Sequence, residues 1–249
     1  MTPLALRTES TKDPRKCKAG ISEIFSSIQG EGPLIGVKQI FVRFKKCNLR
    51  CSFCDTPHDL RSKEYSVSAL SEKIEALERY EGPHHSVSLT GGEPLLYADF
   101  IRDLSGNLKG IGLKVYLETN GTLPEALDKV AASVDFIALD IKLPSSTSLG
   151  GFWEEHMRCL QIAGSKGKEV FVKAVVTSET KRQDLSRAAS LMKKVKRDIP
   201  FILQPVTPVN GKGLPANIES LFGFLNAAKK EGIKDIRIIP QMHKILEVR

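Results

Sequence analysis

Short apolar runs and longer amphipathic stretches take turns along this chain from about residue 38 onward. Lys38 to Phe44 is a β-rich apolar run and predicts a buried strand. Val67, Leu70, Ile74 and Leu77 recur at intervals of three and four, which predicts a helix with one apolar face. The same alternation predicts strands at Ser86 to Leu89, Lys114 to Leu117, Phe136 to Leu139, Glu169 to Val176, Phe201 to Leu203 and Ile236 to Ile239. Helices are predicted at Phe100 to Leu108, Pro124 to Val130, Phe152 to Ala163, Asp184 to Val195 and Ile218 to Ala228. Strands that alternate with helices imply right-handed crossovers and a parallel sheet. About six such units follow the first loop, so the expected fold is α/β: a partial, open (β/α)6-type barrel with parallel strands. Ile21 to Ile28 alternates weakly and predicts one more strand ahead of them. Residues 1–20 are polar and are expected to form a flexible leader, with 21–249 as a single domain.

Polar and glycine-rich stretches follow most of these strands. They include Gln29-Gly30-Glu31-Gly32-Pro33, Thr90-Gly91-Gly92-Glu93-Pro94, Glu118-Thr119-Asn120-Gly121, Asp140-Ile141-Lys142 and Gln204-Pro205-Val206. Barrels of this class carry their chemistry at the carboxyl ends of the strands. The Lys38 to Phe44 strand feeds into Cys47-Asn48-Leu49-Arg50-Cys51-Ser52-Phe53-Cys54-Asp55-Thr56, where three of the five cysteines fall within eight residues. Three soft thiolates on one loop suit a single metal centre. A four-iron, four-sulfur cluster normally takes four cysteines, so three would leave one iron open to a substrate or cosubstrate. Half of a zinc site completed by His58 is the alternative. The odd cysteine count and the lack of an apolar signal core argue against a disulfide framework.

Composition narrows the class of protein. The chain has 249 residues, 41% hydrophobic and 27% charged, enough for one large core. No apolar run reaches the roughly 18 residues that would span a membrane. Sparse, unpaired cysteines point to a reducing, cytoplasmic setting. The formal charge of +8 is scattered, and its densest cluster, Lys193 to Arg197, fits a solvated helix face. A basic soluble protein with no direct nucleic-acid partner is therefore expected.

The spacing Cys-x-x-x-Cys-x-x-Cys, with an aromatic before the last cysteine, resembles the signature of the radical S-adenosylmethionine superfamily. Further motifs accompany it. They are Ser27 to Gly32, an arginine four residues before the first cysteine, Cys54-Asp55-Thr56, Leu89 to Pro94, and Gln241-Met242-His243-Lys244. Together these resemble the 7-carboxy-7-deazaguanine synthases, from about Ile21 to the C-terminus. The resemblance implies a homodimeric carbon–nitrogen lyase with the radical S-adenosylmethionine fold. Such an enzyme converts 6-carboxy-5,6,7,8-tetrahydropterin to 7-carboxy-7-deazaguanine with loss of ammonia, on the route to queuosine or archaeosine. It further implies a 4Fe-4S cluster on Cys47, Cys51 and Cys54, and an electron from a flavodoxin-type or other reductant. Contacts to S-adenosylmethionine are implied for Phe53, Gly92, Glu93, Asp140, Ile141, Lys142, Gln204, Pro205, Val206 and Thr207. Contacts to the pterin are implied for Ile28, Gln29, Gly30, Arg43, Thr90 and His243. Thr56 matches a Mg²⁺ ligand, although the preference of that ion for hard charged oxygen would nominate Asp55. Glu31 and Glu118 are further titratable candidates near the rim, and Cys17 and Cys159 are bystanders. Two other classes share some of these features: a glycyl-radical-enzyme activase, and a zinc-containing nucleic-acid-binding protein.

Overall fold

The computed structural model describes residues 17–56, 61–195, 198–209 and 213–248. His58 and residues 1–16 lie outside the described residues. One nine-stranded sheet carries the fold. Its strands are β1 (Lys18–Ile28), β2 (Lys38–Phe44), β3 (Lys63–Ser66), β4 (Ser86–Gly91), β5 (Val115–Thr119), β6 (Phe136–Asp140), β7 (Glu169–Val176), β8 (Phe201–Pro205) and β9 (Ile236–Ile238). The order across the sheet is β3-β1-β2-β4-β5-β6-β7-β8-β9, with β3 and β9 at open edges. Helices α1 (Val67–Glu81), α2 (Ala98–Gly110), α3 (Pro124–Ala131), α4 (Pro144–Thr147), α5 (Trp153–Ser165), α6 (Arg182–Val195), α7 (Ile218–Lys230) and α8 (Met242–Ile245) fill the connections.

From β2 to β9 each strand along the sheet is parallel to the next, as the alternation predicts. The first strand departs from that expectation, because β1 runs antiparallel to both β2 and β3. No helix separates β1 from β2 except a short turn at Gly32–Leu34, and a connection that short cannot make a parallel crossover. Lys18 to Gly20, assigned to the leader from the sequence, belong to β1. Lys18, Ala19 and Gly20 pair with Ser66, Tyr65 and Glu64, and Ala19 is fully buried. The polar tetrapeptide of β3 carries no strand pattern of its own, and it exists as a strand because β1 offers it a backbone ladder.

The two faces of the sheet hold different cores. Outward-facing residues such as Val42, Leu89, Leu117, Leu139, Val172 and Leu203 pack with Leu70, Ile74, Leu104, Leu160, Leu185 and Phe224 of the helices. The inner face has a small apolar floor of Tyr116, Phe136, Ala138, Phe171 and Ile202. Side chains alternate along a strand, so the residue two places after each floor residue shares its face but lies nearer the carboxyl end. On each strand the same-face position after the last floor residue is polar: Glu118 follows Tyr116, Asp140 follows Ala138, Lys173 follows Phe171 and Gln204 follows Ile202. The inner face is thus dry at the bottom and polar at the top.

Helix ends are set locally. Ser66 caps α1 by accepting from the Ala69 N–H at 3.3 Å, and Asn217 caps α7 by accepting from the Ser220 N–H at 2.8 Å. No helix among the described residues is long and apolar enough to cross a membrane.

Leu89 is fully buried between sheet and helices, whereas Phe222 on α7 is 56% exposed. Leu89→Ala is expected to lower unfolding free energy by about 2–5 kcal/mol. Phe222→Ala is expected to change it by about 0.5 kcal/mol or less. Urea denaturation with an unchanged slope checks both.

Candidate active site

A cavity of about 220 Å³ opens at the carboxyl ends of the parallel strands. Cys47, Cys51 and Cys54 all line it, together with Phe53, Asp55 and Thr56 of the same loop. The loop is held from two sides. Its start lies against the end of β4, where the Gly92 N–H donates to the Phe44 carbonyl at 2.8 Å and the Glu93 N–H to the Lys46 carbonyl at 2.7 Å. A Cβ on Gly92 would sit 2.1 Å from the Lys46 carbonyl oxygen, so only glycine permits this approach. Farther along, the Ser52 N–H donates to the Thr147 carbonyl at 3.1 Å and its hydroxyl to the Ser146 carbonyl at 3.2 Å, which seats the loop on α4.

The donor set suits an iron–sulfur cluster. None of the three cysteines is in a disulfide, and the Leu49 N–H points at the Cys47 sulfur at 3.4 Å. Burial pushes the Cys47 thiol up, and burial together with the charges of Asp140, Cys54 and Cys47 does the same to Cys51. Neighbouring thiolates therefore need a cationic partner, and the Lys142 ammonium supplies part of that field. Among the described residues no three His, Cys, Asp or Glu side chains close on one point as ligands of a single ion would.

Alternation decides which of the other expected contacts reach the cavity. Asp140 and Lys142 line it, while Ile141 between them is fully buried in the outer core. Gln204, Val206 and Thr207 line it, and Pro205 does not. Glu93 does not line the cavity either. It is fully buried, and it accepts from Leu95 N–H at 3.0 Å, Asn120 N–H at 2.7 Å and the Thr119 hydroxyl at 2.9 Å. Burial raises its carboxyl to about 7 against those donors. Its work is to tie the end of β4 to the end of β5. Gly92 and Phe53 do line the cavity, and the Lys142 ammonium lies 5.9 Å from the centre of the Phe53 ring.

On the opposite wall Ile28, Gln29, Gly30, Arg43, Thr90 and His243 all line the same cavity. The Gln29 amide donates to Gln39 at 3.0 Å and to Glu118 at 3.2 Å, and the Thr90 hydroxyl donates to Glu118 at 2.9 Å. Burial raises the Glu118 carboxyl, partly countered by the charge of Lys173. Arg43 donates through Nε to Glu23 at 2.7 Å across the β1–β2 ladder, which orients its guanidinium on the cavity wall. His243 lies over Gly30, where an added Cβ would meet its Nδ1 at 2.2 Å. Burial holds the His243 imidazole below its usual value, opposed by the Glu31 charge.

Lys173, Gln241 and Asn120 also line the cavity, and no role was expected for them. Lys173 had a visible signal: one lysine inside the apolar run Glu169-Val170-Phe171-Val172-Lys173-Ala174-Val175-Val176 must find a partner wherever the strand is buried. Gln241 stood in the Gln241-Met242-His243-Lys244 motif, but nothing local showed its pairing, because its partner Glu31 lies 210 residues away in the chain.

The matching protein-family model is the radical SAM superfamily, over residues 41–192. With the cysteine loop at the mouth of an open parallel barrel, the chain belongs to that superfamily. Curated relatives narrow the assignment. A 7-carboxy-7-deazaguanine synthase from Geobacter sulfurreducens is 37% identical, covering 92% of this chain and 97% of the relative. One from Methanothermobacter thermautotrophicus is 35% identical, covering 93% and 98%. The chain is a member of the 7-carboxy-7-deazaguanine synthase family. The crystal structure of QueE from Escherichia coli shares the fold, with a TM-score of 0.62 at 18% identity over 94% of this chain and all of that one. A radical SAM methyltransferase from Sphaerobacter thermophilus also shares it, with a TM-score of 0.62 at 16% identity over 84% of this chain and 67% of that one. These relatives favour neither the activase nor the zinc-protein alternative.

Just behind the cavity, buried His156 bonds two strand ends at once. Its Nε2 accepts the Lys142 N–H at 3.0 Å and its Nδ1 meets the Gly121 carbonyl at 3.0 Å. Both bonds together require the neutral Nδ1–H tautomer. Burial accordingly lowers its pKa from 6.5 to about 4. The stabilisation is complete above the unfolded value and is lost as pH falls from 6.5 toward 4, a contribution of about 3 kcal/mol. His156→Gln should flatten the pH dependence of stability in that window relative to the parent. Denaturation midpoints at pH 4.5 and pH 7 measure it.

Proposed function

We propose that the cavity binds 6-carboxy-5,6,7,8-tetrahydropterin beside S-adenosylmethionine and converts it to 7-carboxy-7-deazaguanine with release of ammonia. One observation carries this reading: the cysteine loop, the Gln29–Gly30 loop, Arg43 and Thr90 come from separate parts of the chain and face one cavity. When bound, the 4Fe-4S cluster and S-adenosylmethionine supply a reductively generated radical that removes hydrogen from C6 of the pterin.

The residues divide the work. Cys47, Cys51 and Cys54 hold the cluster. Asp140 Oδ1 and Gln204 Oε1 are buried acceptors without a partner, so they are placed to take the donors of S-adenosylmethionine, with Phe53, Lys142, Val206 and Thr207 around it. Gly92 brings backbone to the same side. Arg43 holds the pterin carboxylate, a task for a planar fork. Gln29, Thr90 and Glu118 present acceptors and donors to the pterin edge, and His243 covers it. Thr56 ligates Mg²⁺ together with the substrate carboxylate. Asp55, the harder ligand, accepts from Gln241 at 3.3 Å and pairs with Lys244 at 3.8 Å, so its carboxylate is already partnered. The enzyme works as a cytoplasmic homodimer and draws its electron from a flavodoxin-type or similar reductant.

Anaerobic reconstitution followed by incubation with S-adenosylmethionine and the carboxypterin tests the proposal, with deazaguanine as the expected product. Cys51→Ala should lose the brown colour and reductive cleavage, while Cys17→Ser and Cys159→Ser keep their iron. Arg43→Lys should weaken pterin binding by about 1–3 kcal/mol and spare S-adenosylmethionine. Thr56→Val should retain iron and uncoupled cleavage but form little deazaguanine. Unchanged turnover with an unchanged Mg²⁺ response would remove Thr56 from the metal site.

A further inference from the structure

A chain of charged and polar side chains runs around the cavity and crosses the open side of the barrel. On β6, Asp140 Oδ2 accepts from Lys142 at 2.9 Å and lies 3.6 Å from the Lys173 ammonium on the neighbouring strand. Asp140 and Lys173 are register partners in the β6–β7 ladder. Lys173 also donates to Glu31 Oε2, in the loop after β1. The other oxygen of Glu31 accepts from the Gln241 amide at 2.8 Å, and that amide also reaches Asp55 at 3.3 Å. The backbone follows the same path, with the Met242 N–H donating to the Gly30 carbonyl at 2.9 Å. The edge strands are β3 and β9, and the carboxyl end of β1, beyond its pairing with β3, is not paired with β9. Among the described residues this chain of contacts links the segment after β1 to the segment after β9.

We propose that Lys173 is a positioning residue that serves two walls at once: it holds Glu31, and through it the C-terminal segment, and it orients Asp140. Geometry gives it both tasks. Its side chain is 13% exposed, with Glu31 at 16% and Asp140 at 13%, so the three charges share little water. Two carboxylates so enclosed need a cation between them, since removing one member of a buried pair leaves the other uncompensated. The Asp140 contacts to Lys142 and Lys173 occupy Oδ2 and leave Oδ1 buried and unpartnered, as an acceptor for a ligand. The surroundings of Lys173 favour its charged form. Burial opposes its charge, but the Glu31, Asp140 and Glu118 carboxylates outweigh that and hold its pKa well above the ordinary lysine value. The same ammonium, working against burial, holds Glu31 down at about 2. The Asp140 half of the proposal rests on that wall receiving S-adenosylmethionine; the Glu31 half does not.

The test uses Lys173→Met, Lys173→Met with Glu31→Gln, and Asp140→Asn. Hydrogen–deuterium exchange is followed on the full chain without the cluster. Lys173→Met should speed exchange at 29–31 and 241–246 by about tenfold or more, with α1 to α3 unchanged. Adding Glu31→Gln removes the uncompensated carboxylate and should restore most of that protection. In the reconstituted enzyme, Lys173→Met should weaken S-adenosylmethionine binding by about tenfold, and the double variant should stay weak because Asp140 then keeps Lys142 but still lacks the second ammonium that orients it. Exchange that does not change in Lys173→Met, or protection that does not return in the double variant, overturns the clasp to Glu31. Asp140→Asn separates the two levels of inference. If it weakens S-adenosylmethionine binding while Lys173→Met does not, the proposal for Lys173 fails. If it leaves that binding unchanged, the assignment of the wall fails instead, and the exchange result decides the clasp alone. Should Lys173→Met not fold, the double variant and Lys173→Arg carry the comparison, with protection retained in both.

Discussion

The parallel register from β2 to β9 is the constraint on which the site depends. Parallel strands end on the same side, so the polar residues that follow β2 and β4 to β9 are delivered to one rim, whereas the Gln29–Gly30 loop reaches the cavity from antiparallel β1. Period-two alternation then selects among them. One phase of each strand faces the helices and is apolar, and the other faces inward. A slip of one residue in β6 would bring Ile141 to the cavity and send Asp140 and Lys142 into the helix-packed core.

Burial shapes the chemistry of this rim as much as residue identity does. The apolar floor of Tyr116, Phe136, Ala138, Phe171 and Ile202 keeps water from below, and charges above it interact in a low dielectric. Each carboxylate consequently has a compensating partner or a raised pKa. Glu31 stays ionised beside Lys173, whereas Glu118 and Glu93 are pushed up by burial. Neutral His156 and buried Glu93 do not line the cavity. They bond the ends of β4, β5 and β6 to each other, so the residues that do face the cavity keep their spacing.

The fold solves two closure problems differently. The cysteine loop is fixed by backbone contact, where Gly92 lets two chains meet without a side chain between them. The open side of the barrel is joined mainly by side chains, from Asp140 through Lys173 and Glu31 to Gln241, with one backbone bond from Met242 N–H to the Gly30 carbonyl beside them. Backbone contact makes the first a rigid feature. The second rests on a few polar groups, so it is the part of the rim most open to adjustment by substitution.

Most of the architecture was legible in the residues themselves, because hydrophobic periodicity is a local property that each segment carries alone. β2 and β4 to β9, the longer helices α1 to α3 and α5 to α7, and the cysteine loop with its place after a strand were readable this way. The antiparallel setting of β1 and the polar edge strand β3 were not, since each depends on a partner rather than on its own pattern. The sequence also named whole strand ends as candidates without telling Ile141 from Asp140, Pro205 from Gln204, or the structural Glu93 from its neighbour Gly92. Only the tertiary structure decided those, because facing the cavity is a matter of register across the sheet. It alone paired Lys173 with Glu31, 142 residues apart, and Gln241 with the same carboxylate. Long-range electrostatic partners leave no local signature, and the fold must bring them together before burial can make them matter.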